Sequence, residues 1–480
     1  MSNSTGKAAA RIAALLDEAS FVEIGGFVKA RSTDFTLKQA ETPADGVITG
    51  YGTIGGQLVY VYSQDAGVLG GSVGEMHAKK IVRLYELAMK VGAPVIGLVD
   101  CAGLRLQEAT DALAAVGSWY SAQTLASGVI PQITAIFGVC GGGMALVPGL
   151  TDFTFMEKDK AQLFVNAPNT LDGRKAEKTS SAAFQAAEAG LVDGTGSEAE
   201  VFAAIRELVS FLPANNEDEP AFGECEDDLN RICAGLEAGA EDTVYAISQI
   251  ADNGVFCELK AAYAPEMVTG FIRLDGSTVG VVANRAAVTK EDGTSEKLDA
   301  VLTPEGCTKA AEFVNFCDAF NLPVVTLTNV KGYKADLESE KRVARAAAKL
   351  TFAFADASVP KVNVIVGQAY GTAGIVMNSK SVGADIVYAW PDAKIGMMDA
   401  QAAAKIMYAK ELEGAEDAPA MIAEKAAEYE ALQSSAQAAA GRGYVDDIIA
   451  PEGTRKRVIA ALEMLYTKRE DRPVRKHGTV

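Results

Sequence analysis

The chain carries one long segment twice, and this duplication constrains its fold more than any other feature. The stretch IPQITAIFGVCGGGMALV at 130–147 returns as VPKVNVIVGQAYGTAGIV at 359–376, a displacement of 229 positions. VGAPVIGLVDCAG at 91–103 returns at the same displacement as FNLPVVTLTNVKG at 320–332. Upstream, GTIGGQLVYVYS at 52–63 is matched by IRLDGSTVGVVAN at 272–284; downstream, TDFTFMEKDKAQLFV at 151–165 is matched by ADIVYAWPDAKIGMM at 384–398. A period this long is a whole domain and not a solenoid unit. At 480 residues the chain also exceeds what one core ordinarily organises. The expected division is an N-terminal domain over 1–212, an acidic linker over 213–240 that begins PANNEDEPAFGECEDDLN, and a C-terminal domain over 241–480.

Within the first half, short β-branched runs alternate with helical stretches: LVYVYS, then MHAKKIVRLYELAMKVG, then PVIGLVD. That order predicts an α/β fold of parallel strands covered by helices, built twice. Beyond the second copy, the Ala-rich run 418–440 reads as one helix stopped by Gly441-Arg442-Gly443, and another helix is expected near 452–467. Packing outside the second core and packing on another subunit are both open for these helices.

Composition narrows the chemistry. The 63 acidic residues outnumber 44 basic ones, which argues against nucleic acid and anionic membranes as general partners, so an anionic ligand needs a local basic site. No apolar run approaches the roughly 18 residues that span a bilayer. The opening MSNSTGKAAARIAALL lacks a signal-peptide pattern and reads as a helix of a cytoplasmic protein. Seven irregularly spaced cysteines without a CxxC suit reduced thiols, and a zinc site is not expected. Histidine occurs only at 77 and 477, which leaves almost no room for a triad or a His-ligated metal. Chemistry must then rest on backbone groups, on other side chains, or on the substrate or cofactor itself.

The glycine turns are the first candidates. A buried strand ends at Gly138 and a helix is expected to begin near Gly142-Gly143, where the first N–H groups lack intrahelical acceptors and sit at the positive end of the dipole. Two such groups aimed at one point stabilise a developing oxyanion. The competing reading is that the glycines only permit close packing, and duplication copies a packing device as readily as a site. Arg105, in DCAGLRLQE after a strand, is placed either to hold an anionic group or to pair with Glu108. His77, Lys79 and Lys80 in GEMHAKK form a second basic cluster, for which a solvated helix face is the plainer reading. AMKVG at 88–92 contains the Met-Lys pair of biotin-carrier proteins, but it falls inside a periodic helix, and Lys90 is not expected to carry biotin.

Taken in order, VLGGSVGEMHAKKI (68–81), GAPVIGLVD (92–100), RLQEATDAL (105–113), ASGVIPQI (126–133) and LTDFTFM (150–156) resemble the carboxyltransferase subunits of biotin-dependent acyl-CoA carboxylases and decarboxylases. YAPEMVTGFIRLDG (263–276), FVNFCDAFNLPVV (313–325), VPKVNVIVGQAYGTAGIVMNSK (359–380), YAWPDAKIGMM (388–398) and GYVDDIIAPEGTRKRVIAALEML (443–465) continue it, so the resemblance covers about 50–467. It implies two duplicated crotonase-like domains, the N-terminal one binding acyl-CoA and the C-terminal one of a neighbouring subunit binding biotin. It further implies a homo-oligomer, commonly a hexamer, and a biotin carboxyl carrier protein as partner. A biotin carboxylase or a membrane decarboxylase subunit would be further partners.

By the same resemblance, Gly142 and Gly143 hold the thioester oxyanion and Thr372 and Ala373 the ureido oxyanion of biotin. Ala102, Gly103, Arg105, Gly371 and Ile375 line the substrates. Biotin is not covalently attached to this chain, no metal is required in it, and the scarcity of histidine is expected because the cofactor itself handles the proton. Three departures stand out: Cys101-Ala102-Gly103-Leu104-Arg105 replaces Ser-Gly-Gly-Ala-Arg, Thr372 replaces a second Gly, and the segment 330–350 replaces a Pro-Gly-Phe loop and a His-Gly-Ala-Lys helix. The rival readings are a crotonase-type hydratase or isomerase, which adds a carboxylate acid/base near the turn, and a non-catalytic assembly subunit.

Overall fold

The computed structural model describes residues 6–31, 42–171, 178–219, 221–290, 293–415 and 417–470. His477 lies outside these. The chain divides between Ala221 and Phe222 into two compact units.

In the first unit the strands lie in the order Val22–Ile24, Val47–Ile54, Gln57–Gln64, Val95–Cys101, Gln132–Gly141, Phe153–Glu157, Gly194–Gly196, with Gln162–Phe164 on the far end of Gln132–Gly141. The second unit repeats that order with Phe256–Leu259, Met267–Leu274, Ser277–Asn284, Val324–Val330, Lys361–Tyr370, Ile386–Ala389 and Asp447–Ile448; Lys394–Gly396 takes the side position. In each, an antiparallel hairpin leads into parallel pairing. The hairpins close on Gly55-Gly56 and Asp275-Gly276, all four at positive φ, the backbone that matches the right-handed twist of the flanking strands. Even the register slips recur, between Val99 and Cys101 and between Thr328 and Val330.

The hairpin strand Val47–Ile54 recurs as Met267–Leu274, a shorter step along the chain than the one from Val95–Cys101 to Val324–Val330. The second unit has an extra hairpin, Ala287–Thr289 with Ser295–Lys297, in the intervening stretch.

Helices cover the sheets by their apolar faces. Glu75–Val91 buries Ala78, Ile81, Leu84, Tyr85 and Ala88, and Gly92 ends it in the left-handed conformation. Its counterpart Pro304–Ala319 starts on a Thr303 cap with proline in the first turn. Each helix also buries one lysine. Lys80 donates to the carbonyls of Ala44 and Val47, and Lys309 donates at 2.8 Å to those of Lys260 and Tyr263.

The acidic stretch 213–240 is divided between the units. Asn215 Nδ2 donates to the Gly92 carbonyl, and Asn216 N–H to that of Val129. Past Phe222 the chain enters the second unit, where Cys233 and Leu236 are core residues. The helix expected over 418–440 is broken. Ala418–Tyr429 runs into a wider turn over Glu430–Ser434, Ser435 is extended, and its side chain caps a new helix, Ala436–Gly441. The last helix is Thr454–Leu465. No helix among the described residues is long and apolar enough to cross a membrane.

Candidate functional site

The glycines of the two turns have separate duties. A Cβ on Gly138 would lie 2.0 Å from Asp100 Oδ1, and one on Gly367 would lie 2.5 Å from Asn329 Oδ1. Both are packing positions. Asp100 lies under the first turn, its N–H on Gln64 Oε1 and its carboxylate on Arg11. Asn329 does the same in the second, its N–H on Asn284 Oδ1 and its side chain joining the Ala240 carbonyl to Gln368 N–H.

Gly142 and Gly371 turn the chain, at φ +63 and +60. After Gly371 the backbone forms the short α-helix Gly371–Val376. After Gly142 the expected helix begins as a tighter 3-10 turn, Gly142–Ala145, and continues as the short α-helix Leu146–Gly149. Pro148 has no N–H to offer the Met144 carbonyl, which accepts from Cys140 Sγ at 3.3 Å.

Gly142 and Gly143 are both partly exposed. The Tyr120 hydroxyl donates to the Gly143 carbonyl and fixes that peptide. A Cβ on Gly143 would meet Tyr120 Oη at 3.2 Å and Leu104 Cδ1 at 3.4 Å. Beside the turn runs the segment after Val95–Cys101: Ala102 is exposed, its N–H on the Gly71 carbonyl, and Gly103–Leu104 pairs with Ser72–Val73. A Cβ on Gly103 would sit 3.9 Å from the Gly141 carbonyl.

Arg105 takes the ion-pair alternative. Its guanidinium is fully buried, Nη1 on Asp45 at 2.8 Å and Glu108 at 2.6 Å, Nη2 on the Ser72 carbonyl and Nε on Ser72 Oγ. The side chain anchors the loop from beneath and turns no donor toward solvent. Burial pushes the Asp45 carboxyl up against the opposing pull of Arg105.

The basic cluster resolves otherwise than expected. Lys79 is on the solvated face, paired with Glu75, but Lys80 and His77 point inward. Burial lowers Lys80 to about 8 and His77 to about 3, Arg105 adding to the latter effect. Neutral His77 bridges the Asp45 carbonyl at Nδ1 and the Gln64 amide at Nε2. Lys90 lies in the last turn of its helix.

Beneath the first turn Cys101 and Cys140 are register partners, both buried. Their mutual hydrogen bond, then burial, hold the Cys140 thiol well above its usual value, so it is a packed thiol and not a nucleophile. In the second unit Thr372 is exposed, Ala373 buried and Ile375 exposed. Tyr333 Oη donates to Thr372 Oγ1 at 3.2 Å. Sequence reasoning missed Tyr120 and Tyr333. Tyr120 reaches Gly143 from 23 positions earlier, with no local spacing to mark it. Tyr333 had a signal: it stands at the repeat displacement from Leu104, which abuts Gly143.

A duplicated parallel sheet with a glycine turn at the end of each central strand defines the class: the chain belongs to the family described as carboxyl transferase domain, matched over residues 2–480. Its fold is the doubled crotonase-like one. Among individual relatives, it is 40% identical to the methylmalonyl-CoA decarboxylase subunit alpha of Propionigenium modestum and 41% identical to the propionyl-CoA carboxylase beta chain of Roseobacter denitrificans, covering 98% of this chain and 92% of each relative. It is also similar to the transcarboxylase 12S crystal structure, a hexamer with methylmalonyl-coenzyme A and methylmalonic acid bound. There the TM-score is 0.92 at 39% identity, covering 99% of this chain and 92% of that one.

Proposed function

We propose that this chain is the carboxyltransferase of a biotin-dependent acyl-CoA carboxylase or decarboxylase, and that the turn at Gly142-Gly143 holds the thioester oxygen of a short-chain acyl-CoA. The observation that carries the reading is the division of labour among the glycines. Gly138 serves packing, whereas Gly142 and Gly143 present partly exposed backbone at the mouth of a helical turn. As the carbon next to the thioester gains negative charge, that charge moves to the oxygen, and N–H groups already in place stabilise it without reorganising. One such donor contributes about 10²–10³ in rate. Tyr120 fixes the turn, and the anchored Arg105 holds the Ala102-Gly103 segment beside it.

Biotin on a carrier partner supplies or receives the carboxyl group when bound. The second turn fits its small polar head: Gly371 opens the backbone, Thr372 and Ala373 follow at the helix start, and the Thr372 hydroxyl is exposed. Ile375 presents an apolar side chain nearby, which suits an unfunctionalised acyl group; one methylene changes selectivity by only about 1–3 kcal/mol. The partners are a biotin carboxyl carrier protein with a biotin carboxylase or a membrane decarboxylase subunit, and the chain assembles with copies of itself as a hexamer.

A hydratase would need a free carboxylate at the turn. Asp100 and Glu108, on the neighbouring segment, are paired with Arg11 and Arg105. The test is turnover of malonyl-, methylmalonyl- and glutaconyl-CoA with free biotin. Biotin-dependent decarboxylation abolished by Gly143→Val supports the carboxyltransferase. Biotin-independent hydration would support a hydratase, and no turnover even with carrier protein would support an assembly subunit.

A further inference from the structure

The duplication lets the two turns be compared position by position. The first half has Leu104 and Gly143; at the displacement of the repeat, the second half has Tyr333 and Thr372. In the first half the pair is bare and apolar, with Leu104 Cδ1 3.4 Å from where a Gly143 Cβ would be. In the second, both positions carry hydroxyls, and these are bonded to each other at 3.2 Å. Two exchanges in mutual contact have thus placed a polar head on one turn and left its sister without one. Thr372 is exposed and Tyr333 half-buried, so a ligand reaches the pair.

The donor inventory of this pair is definite. Two hydroxyls have two protons and four lone pairs, and their mutual bond uses one of each. Either hydroxyl can donate in that bond, and in either sense one proton is left; when Tyr333 donates, the Thr372 proton is the free one. Burial raises the Tyr333 phenol, so it remains a protonated donor at neutral pH. One free proton beside several free lone pairs suits a ligand that both accepts and donates. A phosphodiester or a carboxylate offers only acceptors, and an aliphatic acyl chain offers nothing. A cyclic urea offers a carbonyl oxygen and ring N–H groups.

Resting on the carboxyltransferase reading above, we propose that Thr372 and Tyr333 recognise the ureido ring of biotin through their side chains. Thr372 Oγ1–H donates to the ureido oxygen. Tyr333 is a positioning residue that fixes the Thr372 rotamer, and the lone pairs of the two hydroxyls accept a ring N–H.

The experiment uses the intact chain, free biotin and methylmalonyl-CoA, with Thr372→Val, Thr372→Ser, Tyr333→Phe and the Thr372→Val/Tyr333→Phe double variant, each checked for an unchanged thermal midpoint. The biotin KM should rise roughly tenfold in Thr372→Val and several-fold in Tyr333→Phe, the scale of one or two lost hydrogen bonds. The methylmalonyl-CoA KM should not move, Thr372→Ser should stay near wild type, and the double variant should be no worse than Thr372→Val. An unchanged biotin KM in Thr372→Val, or an equal rise in the methylmalonyl-CoA KM, overturns the assignment while leaving the carboxyltransferase intact. Should the wild type show no biotin-dependent turnover, that wider reading falls, and saturation-transfer NMR of free biotin decides the pair. A signal lost in Thr372→Val supports it; an unchanged or absent wild-type signal overturns it.

Discussion

Replacing Gly143 by alanine adds one methyl group at the point where the proposed oxyanion turn is most confined. The new Cβ would lie 3.2 Å from Tyr120 Oη and 3.4 Å from Leu104 Cδ1, so the turn or the tyrosine must give by a few tenths of an ångström. Overpacking of this size costs about 1–3 kcal/mol of stability. The larger effect is on rate. A fully lost donor costs about 10²–10³, and misplacing reacting groups by about 1 Å costs about 10²-fold, so a displaced turn should lower kcat at least roughly tenfold. The assay is steady-state release of decarboxylated thioester from methylmalonyl-CoA at saturating biotin, beside a thermal-midpoint measurement. Tyr120→Phe, which releases the Gly143 peptide from its hydrogen bond, should lower kcat on its own. Gly149→Ala is the control, since nothing lies within 4 Å of its Cβ position. A folded Gly143→Ala protein with wild-type kcat would refute the assignment of this turn.

Three further outcomes follow from the buried polar groups. His77 titrates near 3 in the fold against about 6.5 unfolded. Between those values the unfolded chain binds the extra proton, so stability is full above pH 6.5 and is lost as pH falls toward 3, by up to about 1.4 kcal/mol per unit. Urea midpoints across that range should show a smaller slope for His77→Gln than for wild type; equal slopes would contradict the burial. Arg105→Met leaves Asp45 and Glu108 buried without their cation and should cost about 3–5 kcal/mol in chemical denaturation. A change below about 1 kcal/mol would mean that the guanidinium does not anchor the loop through these buried pairs. Gly138→Ala drives a methyl into Asp100 and should destabilise by about 1–3 kcal/mol, whereas Gly117→Ala, on an exposed helical position with nothing within 4 Å, should stabilise by up to about 1 kcal/mol. Equal urea midpoints for the two would contradict this account.

The doubled fold was legible because a duplication writes its own alignment. The two central strands of each sheet and even the Gly142 and Gly371 backbone conformations recur at the displacement that the sequence displays. What stayed hidden depended on partners far along the chain. Lys80 reads as a surface lysine until the carbonyls of Ala44 and Val47, from a separate and earlier stretch of the chain, come to meet it. A signal for its burial did exist: 77, 80, 81, 84 and 88 fall on one helical face, which is otherwise apolar. Arg105 could be narrowed only to two roles, because its second partner, Asp45, is 60 positions away. The break at Ser435 was masked by the Ala-rich composition around it, since helix propensity is a weak prior that one cap and one bridge to Lys394 override.

The central claim is that this chain moves a carboxyl group between a thioester and biotin. Its most direct test is to incubate the purified protein with methylmalonyl-CoA labelled in the free carboxyl group and a biotinylated carrier protein, and to follow the label. The account predicts that label reaches the carrier only when this chain is present, and that avidin or the Gly143→Val substitution stops the transfer. Label that never leaves the thioester, or that leaves it equally well without biotin, would contradict the account.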